Sequence, residues 1–152
     1  MKKCIALVVG AVVLCSQPGL SMAEGKAGLQ QPWFQEELHT ANKIRFERQE
    51  IKQDILQKKD ELLQLRAHRT AAKQAAALTE ERKQLKELRT DLMDLQKKSA
   101  QTRKEFKVAL REQDHAAAKQ KMASWLQVQQ EINVKMKEKV KLMDAMIVKL
   151  KS

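Results

Sequence analysis

Residues 115–150 read HAAAKQKMASWLQVQQEINVKMKEKVKLMDAMIVKL, and this stretch decides the fold. Ala118, Met122, Trp125, Val128, Ile132, Met136, Val140, Met143, Ile147 and Leu150 recur in steps of three and four, the repeat of an amphipathic α-helix with one apolar stripe. Between them stand Lys119, Lys121, Lys135, Lys137, Lys139 and Lys141. The spacing therefore predicts a stripe that no polar residue interrupts, backed by a basic surface held in water. At about 1.5 Å per residue the helix is roughly 54 Å long, and it needs an equally long partner, from this chain or from a second copy.

The sequence upstream supplies such partners. Arg111-Glu112-Gln113-Asp114-His115 breaks the pattern, and Asp114 is a good N-cap, so a tight turn here predicts an antiparallel hairpin with the preceding helix. That helix is expected from about Glu80 to Arg111, with Leu85, Leu88, Leu92 and Leu95 facing inward. Its stripe weakens before Phe106, where Ser99 and Thr102 hold the inward positions. The gap reads either as the polar lining of a groove or as a loosely packed stretch.

From Trp33 onward the chain has neither glycine nor proline, whereas Ala, Leu, Lys, Gln, Glu and Met abound. Hairpin turns depend on the former and helices on the latter. Phe34, Leu38, Ala41, Ile44, Ile51, Ile55, Leu62 and Leu65 mark a first helix, broken by Arg48 and Lys58, with Asp54 and Lys58 as a supporting pair. Projecting Leu62 and Leu65 forward at about 3.6 residues per turn reaches positions near 83 and 87, out of phase with Leu85 and Leu88. A bend in the Ala-rich segment between Thr70 and Thr79 would restore a common core, with Thr79 as N-cap before Glu80 and Glu81. The fold class expected is all-α: an elongated, coiled-coil-like bundle of about three long helices, dimeric.

The first residues read as an export signal. Lys2 and Lys3 precede the apolar run Cys4 to Cys15, and Pro18 and Gly19 lead to Ser21-Met22-Ala23, the pattern of a signal peptide over 1–23 cleaved before Glu24. Permanent anchoring and lipoprotein processing at Cys15 are the alternatives. Cleavage would remove both cysteines, leaving no thiol for disulfides, catalysis or metal. It would also take Lys2 and Lys3 from a formal charge of +11 on 152 residues. A basic exported chain is expected in a periplasm or outside the cell, near anionic surfaces or acidic polypeptides and away from nucleic acid. Residues 24–32 form a flexible lead, 33–77 the first helix with its Ala-rich bend, and 78–152 the hairpin.

Nothing suggests catalysis. His39, His68 and His115 lie on separate segments without ligand spacing. Met143 and Met146 could approach one soft ion such as copper(I), but their place on or beside the stripe favours packing. The expectation is no enzyme, no cofactor and no resident metal. Phe106, Met122, Trp125, Ile132, Met136, Met143 and Met146 are the candidates for a surface that either binds clients or packs on itself.

Leu78-Thr79-Glu80-Glu81-Arg82, a leucine-rich helix, the turn Asp114-His115-Ala116-Ala117 and a Met-rich helix resemble the LTxxQ-motif proteins of bacterial periplasms, with Arg82 where that family has Gln. These include the Spy and CpxP type chaperones and related heavy-metal sensor or resistance proteins. The resemblance covers about Leu78 to Leu150. It implies a thin helical dimer that shields unfolded envelope proteins without ATP, or that senses metal or envelope stress. A purely structural coiled-coil spacer or assembly partner is the other reading of the residues.

Overall fold

The computed structural model describes residues 34–67 and 78–151. They form three long helices, α1 (Gln35–Ala67), α2 (Thr79–Arg111) and α3 (His115–Lys151), and no strand occurs among the described residues. The protein is an all-α helical bundle. The helix 115–150 finds its long partners within its own chain, because α1 and α2 both pack along it and contact each other little.

Ion pairs record the direction of each helix. Glu37–Lys119, Glu47–Lys137 and Glu61–Lys151 ascend together, so α1 runs parallel to α3. Glu105–Lys121, Asp91–Lys135 and Glu81–Lys149 descend on one side as they ascend on the other, so α2 is antiparallel to it. The chain therefore reverses between α1 and α2. The Ala-rich bend expected there lies, as far as Ala77, outside the described residues. Lys58 pairs across to Asp144 at 2.7 Å instead of back to Asp54, and this hydrogen bond raises its pKa.

The start of α2 differs from expectation. Leu78 occupies the capping position without a side-chain hydrogen bond, and Thr79 is the first helical residue instead of the cap. Leu78 is fully buried. Seating that leucine in the core fixes the helix start.

The turn into α3 follows the sequence more closely. Asp114 Oδ1 accepts the Ala117 N–H at 2.9 Å, capping α3 as read from the sequence. The Gln113 N–H bonds the Leu110 carbonyl and the Asp114 N–H that of Ala109, the paired closure of a Schellman motif. Gln113 carries the left-handed position, with φ 58°.

Two apolar clusters fill the bundle. One unites Ile51, Ile55, Leu62 and Leu78 with Met143, Met146, Ile147 and Leu150. The other gathers Phe34, Ile44, Phe106, Ala118, Met122 and Leu126, with Phe34 set edge-on to Phe106 at 5.9 Å. Between them lies a polar layer. Gln129 and Asn133 are buried at its centre, so the α3 face is interrupted where the spacing predicted an unbroken stripe.

Candidate binding surface

The polar layer draws on all three helices. Arg48 Nε donates to Asn133 Oδ1 at 2.7 Å, Nη1 to Gln129 Oε1 at 2.5 Å and Nη2 to the Gln129 carbonyl at 2.7 Å. The Gln129 amide donates to Ser99 Oγ, and that of Asn133 to the Ile44 carbonyl at 3.0 Å and Glu47 Oε2 at 2.9 Å. Burial pulls the Arg48 guanidinium below its ordinary pKa, with the Glu47 charge opposing. The gap around Ser99 and Thr102 is thus neither an open groove nor slack packing: Ser99 is bonded across the bundle, and the Thr102 hydroxyl donates to the Lys98 carbonyl at 2.7 Å. Buried hydrogen-bonded networks of this kind fix helix register, since a slip leaves every member unpaired.

Charge is sorted as strongly as polarity. The α3 lysines do not simply face water. Lys119, Lys121, Lys135, Lys137, Lys149 and Lys151 meet Glu37, Glu105, Asp91, Glu47, Glu81 and Glu61 of the flanking helices. Each such pair adds little energy, but together they turn Glu81, Asp91 and Glu105 of α2 toward α3. The carboxyls of Glu47, Glu81 and Glu105 are held below the usual range, first by hydrogen bonds from Lys137, Lys149 and Lys121 respectively.

The other side of α2 is left cationic. Arg82, Lys86, Arg89, Lys104, Lys107 and Arg111 fall on one line at steps of three and four, with Met93, Gln96 and Ala100 between them, and all are exposed. None of these six cations enters an ion pair among the described residues. At 1.5 Å per residue the line is about 44 Å long. The opposite groove between α2 and α3, lined by Asp91, Asp94, Glu131, Lys98 and Lys135, is mixed in sign and largely self-paired.

The residues expected either to bind clients or to pack on themselves lie away from this line. Phe106, Met122, Ile132, Met143 and Met146 are buried, and Trp125 and Met136 are half-buried against the clusters, so these side chains serve self-packing. Met143 and Met146 sit in an apolar cluster. His39 is exposed on α1, His115 opens α3, and His68 lies outside the described residues. Among the described residues no three His, Cys, Asp or Glu side chains converge as metal ligands would, and no helix is long and apolar enough to cross a membrane.

The Leu78–Arg82 motif straddles the start of α2. Leu78 is buried, Glu80 accepts from the Gln84 amide at 3.2 Å, Glu81 is buried against Lys149, and Arg82 opens the cationic line. The polar layer and that line were the features missed by following apolar spacing alone. The same count applied to Lys and Arg along residues 82–111 finds the line directly.

Comparison with protein-family models, with curated proteins and with solved structures returned no match.

Proposed function

We propose that the protein is an exported helical chaperone-like or envelope-stress accessory protein that binds acidic or unfolded polypeptides by charge and without ATP. The observation that carries this reading is the cationic line of α2, whose six charges enter no ion pair among the described residues, while Glu81, Asp91 and Glu105 of the same helix are engaged with α3. A low-dielectric bundle bearing an unneutralised row of charge attracts polyanions at long range and holds them weakly. The resemblance to LTxxQ-motif periplasmic proteins supports the same class. The buried stripes change the mechanism: a client is held along the outside of α2 and not in an apolar cradle. Self-association would then use exposed residues such as Phe46, Leu56 and Leu63. Export rests on the leader 1–23, and the N-terminus of protein recovered from cells reads its cleavage.

The second reading, a structural spacer or assembly partner, is favoured by the burial of most of the apolar stripes in self-packing. One assay separates the two. At stoichiometric amounts the protein is expected to suppress aggregation of a reduced acidic model protein, with the effect fading as salt rises from about 0.05 to 0.5 M. The triple change Lys104→Glu, Lys107→Glu and Arg111→Glu is expected to abolish it. No suppression at any salt leaves the spacer.

A further inference from the structure

The two flanking helices present the same order of residues around their circumference. On α1 the ion pairs of Glu47 and Lys58 with α3 lie on one side of the buried Ile44, Ile51 and Ile55, and Arg45, Lys52 and Lys59 follow on the other. On α2 Asp91 and Glu105 lie on one side of the buried Leu88 and Phe106, and Arg82 and Arg89 on the other. Ile51, Ile55 and Leu62 share a cluster with Leu78, and Ile44 shares one with Phe106. The core is therefore common to both helices, and their cations meet on the side of the bundle away from α3.

Helix register sets these cations level with one another. Glu47 and Asp91 reach Lys137 and Lys135, and Glu61 and Glu81 reach Lys151 and Lys149. Residues 47–61 of α1 thus run alongside residues 91–81 of α2, which brings Lys52 and Lys59 abreast of Arg82, Lys86 and Arg89. Neither stripe contains an acid. Arg45, Gln49, Lys52, Leu56, Lys59 and Leu63 follow at steps of three and four on α1, as do Arg82, Lys86, Arg89, Met93, Gln96 and Ala100 on α2, and all are exposed. None of the six cations enters an ion pair among the described residues.

We propose that this face docks on an anionic lipid bilayer, with the six cations against headgroup phosphates and Leu56, Leu63 and Met93 at the boundary of the acyl chains. The inference goes beyond client binding and does not depend on it. Leu56, Leu63 and Met93 are 58%, 63% and 50% exposed and adjoin the cations in the stripes, the mixture of basic and apolar groups that holds helices in a bilayer interface. Packed helices lie about 8–10 Å apart, and α1 and α2, which scarcely touch, lie no closer; extended chains are spaced about 5 Å apart. One extended polypeptide therefore neutralises one row at a time, whereas a layer of headgroups meets both. A nucleic-acid backbone is contacted by polar donors, and exposed leucines gain little against it.

The test is sedimentation of the whole protein with phosphatidylcholine vesicles, with and without phosphatidylglycerol, at low salt. Binding is expected only with phosphatidylglycerol. Lys52→Gln with Lys59→Gln is expected to weaken it about 25-fold, about fivefold for each charge at the surface, and Leu56→Ser with Leu63→Ser about tenfold. Lys98→Gln with Lys141→Gln removes the same charge from the α2–α3 groove, beyond screening distance, and is expected to weaken binding by about twofold at most. Equal losses for the two lysine pairs, or equal binding to phosphatidylcholine alone, overturn the proposal. Stronger binding of oligoglutamate or of a duplex oligonucleotide than of the vesicles overturns the choice of a lipid. So does self-association that the leucine variants abolish while vesicle binding persists, which assigns the face to a second copy. Lys52 and Lys59 stand outside the α2 line, so suppression of client aggregation is expected to survive their replacement, and failure of vesicle binding leaves the client reading standing.

Discussion

Gln113 shows how much one position can conceal. A glycine at the end of α2 would have announced the turn, since glycine, having no Cβ, reaches φ 58° without crowding. Here the turn was legible from Asp114 and from the break in apolar spacing, while the strained residue before it was not. Because the surrounding Schellman bonds are intact, Gln113→Gly is expected to stabilise the protein by about 0.5–1 kcal/mol, after subtracting the extra freedom glycine gives the unfolded chain. Gln113→Val is expected to destabilise by about 1–2 kcal/mol. Urea unfolding of the three proteins measures both. Thr79 teaches the converse: its residue type suited a cap, but the energy of burying Leu78 placed the helix start one residue earlier.

At the level of the helices, the count of three was readable because each carries its own apolar periodicity. The face of α3 was read too narrowly. A single stripe presumes one partner, whereas α3 lies against two, so its interior face widens to take in Leu126, Gln129, Asn133 and Met146, while Trp125, Met136 and Val140 on that face are half-buried. Gln129 and Asn133 escaped notice because their partner, Arg48, lies 81 and 85 residues away in sequence and looked like a flaw in the first helix. Arg48→Met is expected to cost about 2–3 kcal/mol, since it leaves buried amide oxygens unpaired. Combining it with Gln129→Leu and Asn133→Leu is expected to restore most of that loss while relaxing helix register. Thermal melts read the first effect, and spin-label distances between α1 and α3 read the second.

For the molecule as a whole, the paired carboxylates dictate the response to acid. The native pKa values of Glu47, Glu81 and Glu105 are depressed relative to the unfolded chain. Their contribution is complete above the ordinary glutamate range and disappears as pH falls through the lower native values. The melting temperature is expected to hold from neutral pH to about pH 5 and to decline below about pH 4. Glu105→Gln is expected to flatten that decline, and calorimetry across the range checks both. The overall charge is visible in the composition and the cationic line in the spacing of Lys and Arg along α2; that its six charges stay outside the ion pairs emerges only from the structure.

The placement of α3 has a consequence for biosynthesis. Both earlier helices depend on it and scarcely on each other, yet it is the last of the three to leave the ribosome. Through most of translation α1 and α2 have no surface to fold upon, so the nascent polypeptide stays open and threadable until α3 emerges. Under the export proposed above, that unfolded condition is the one a secretion channel requires of its cargo.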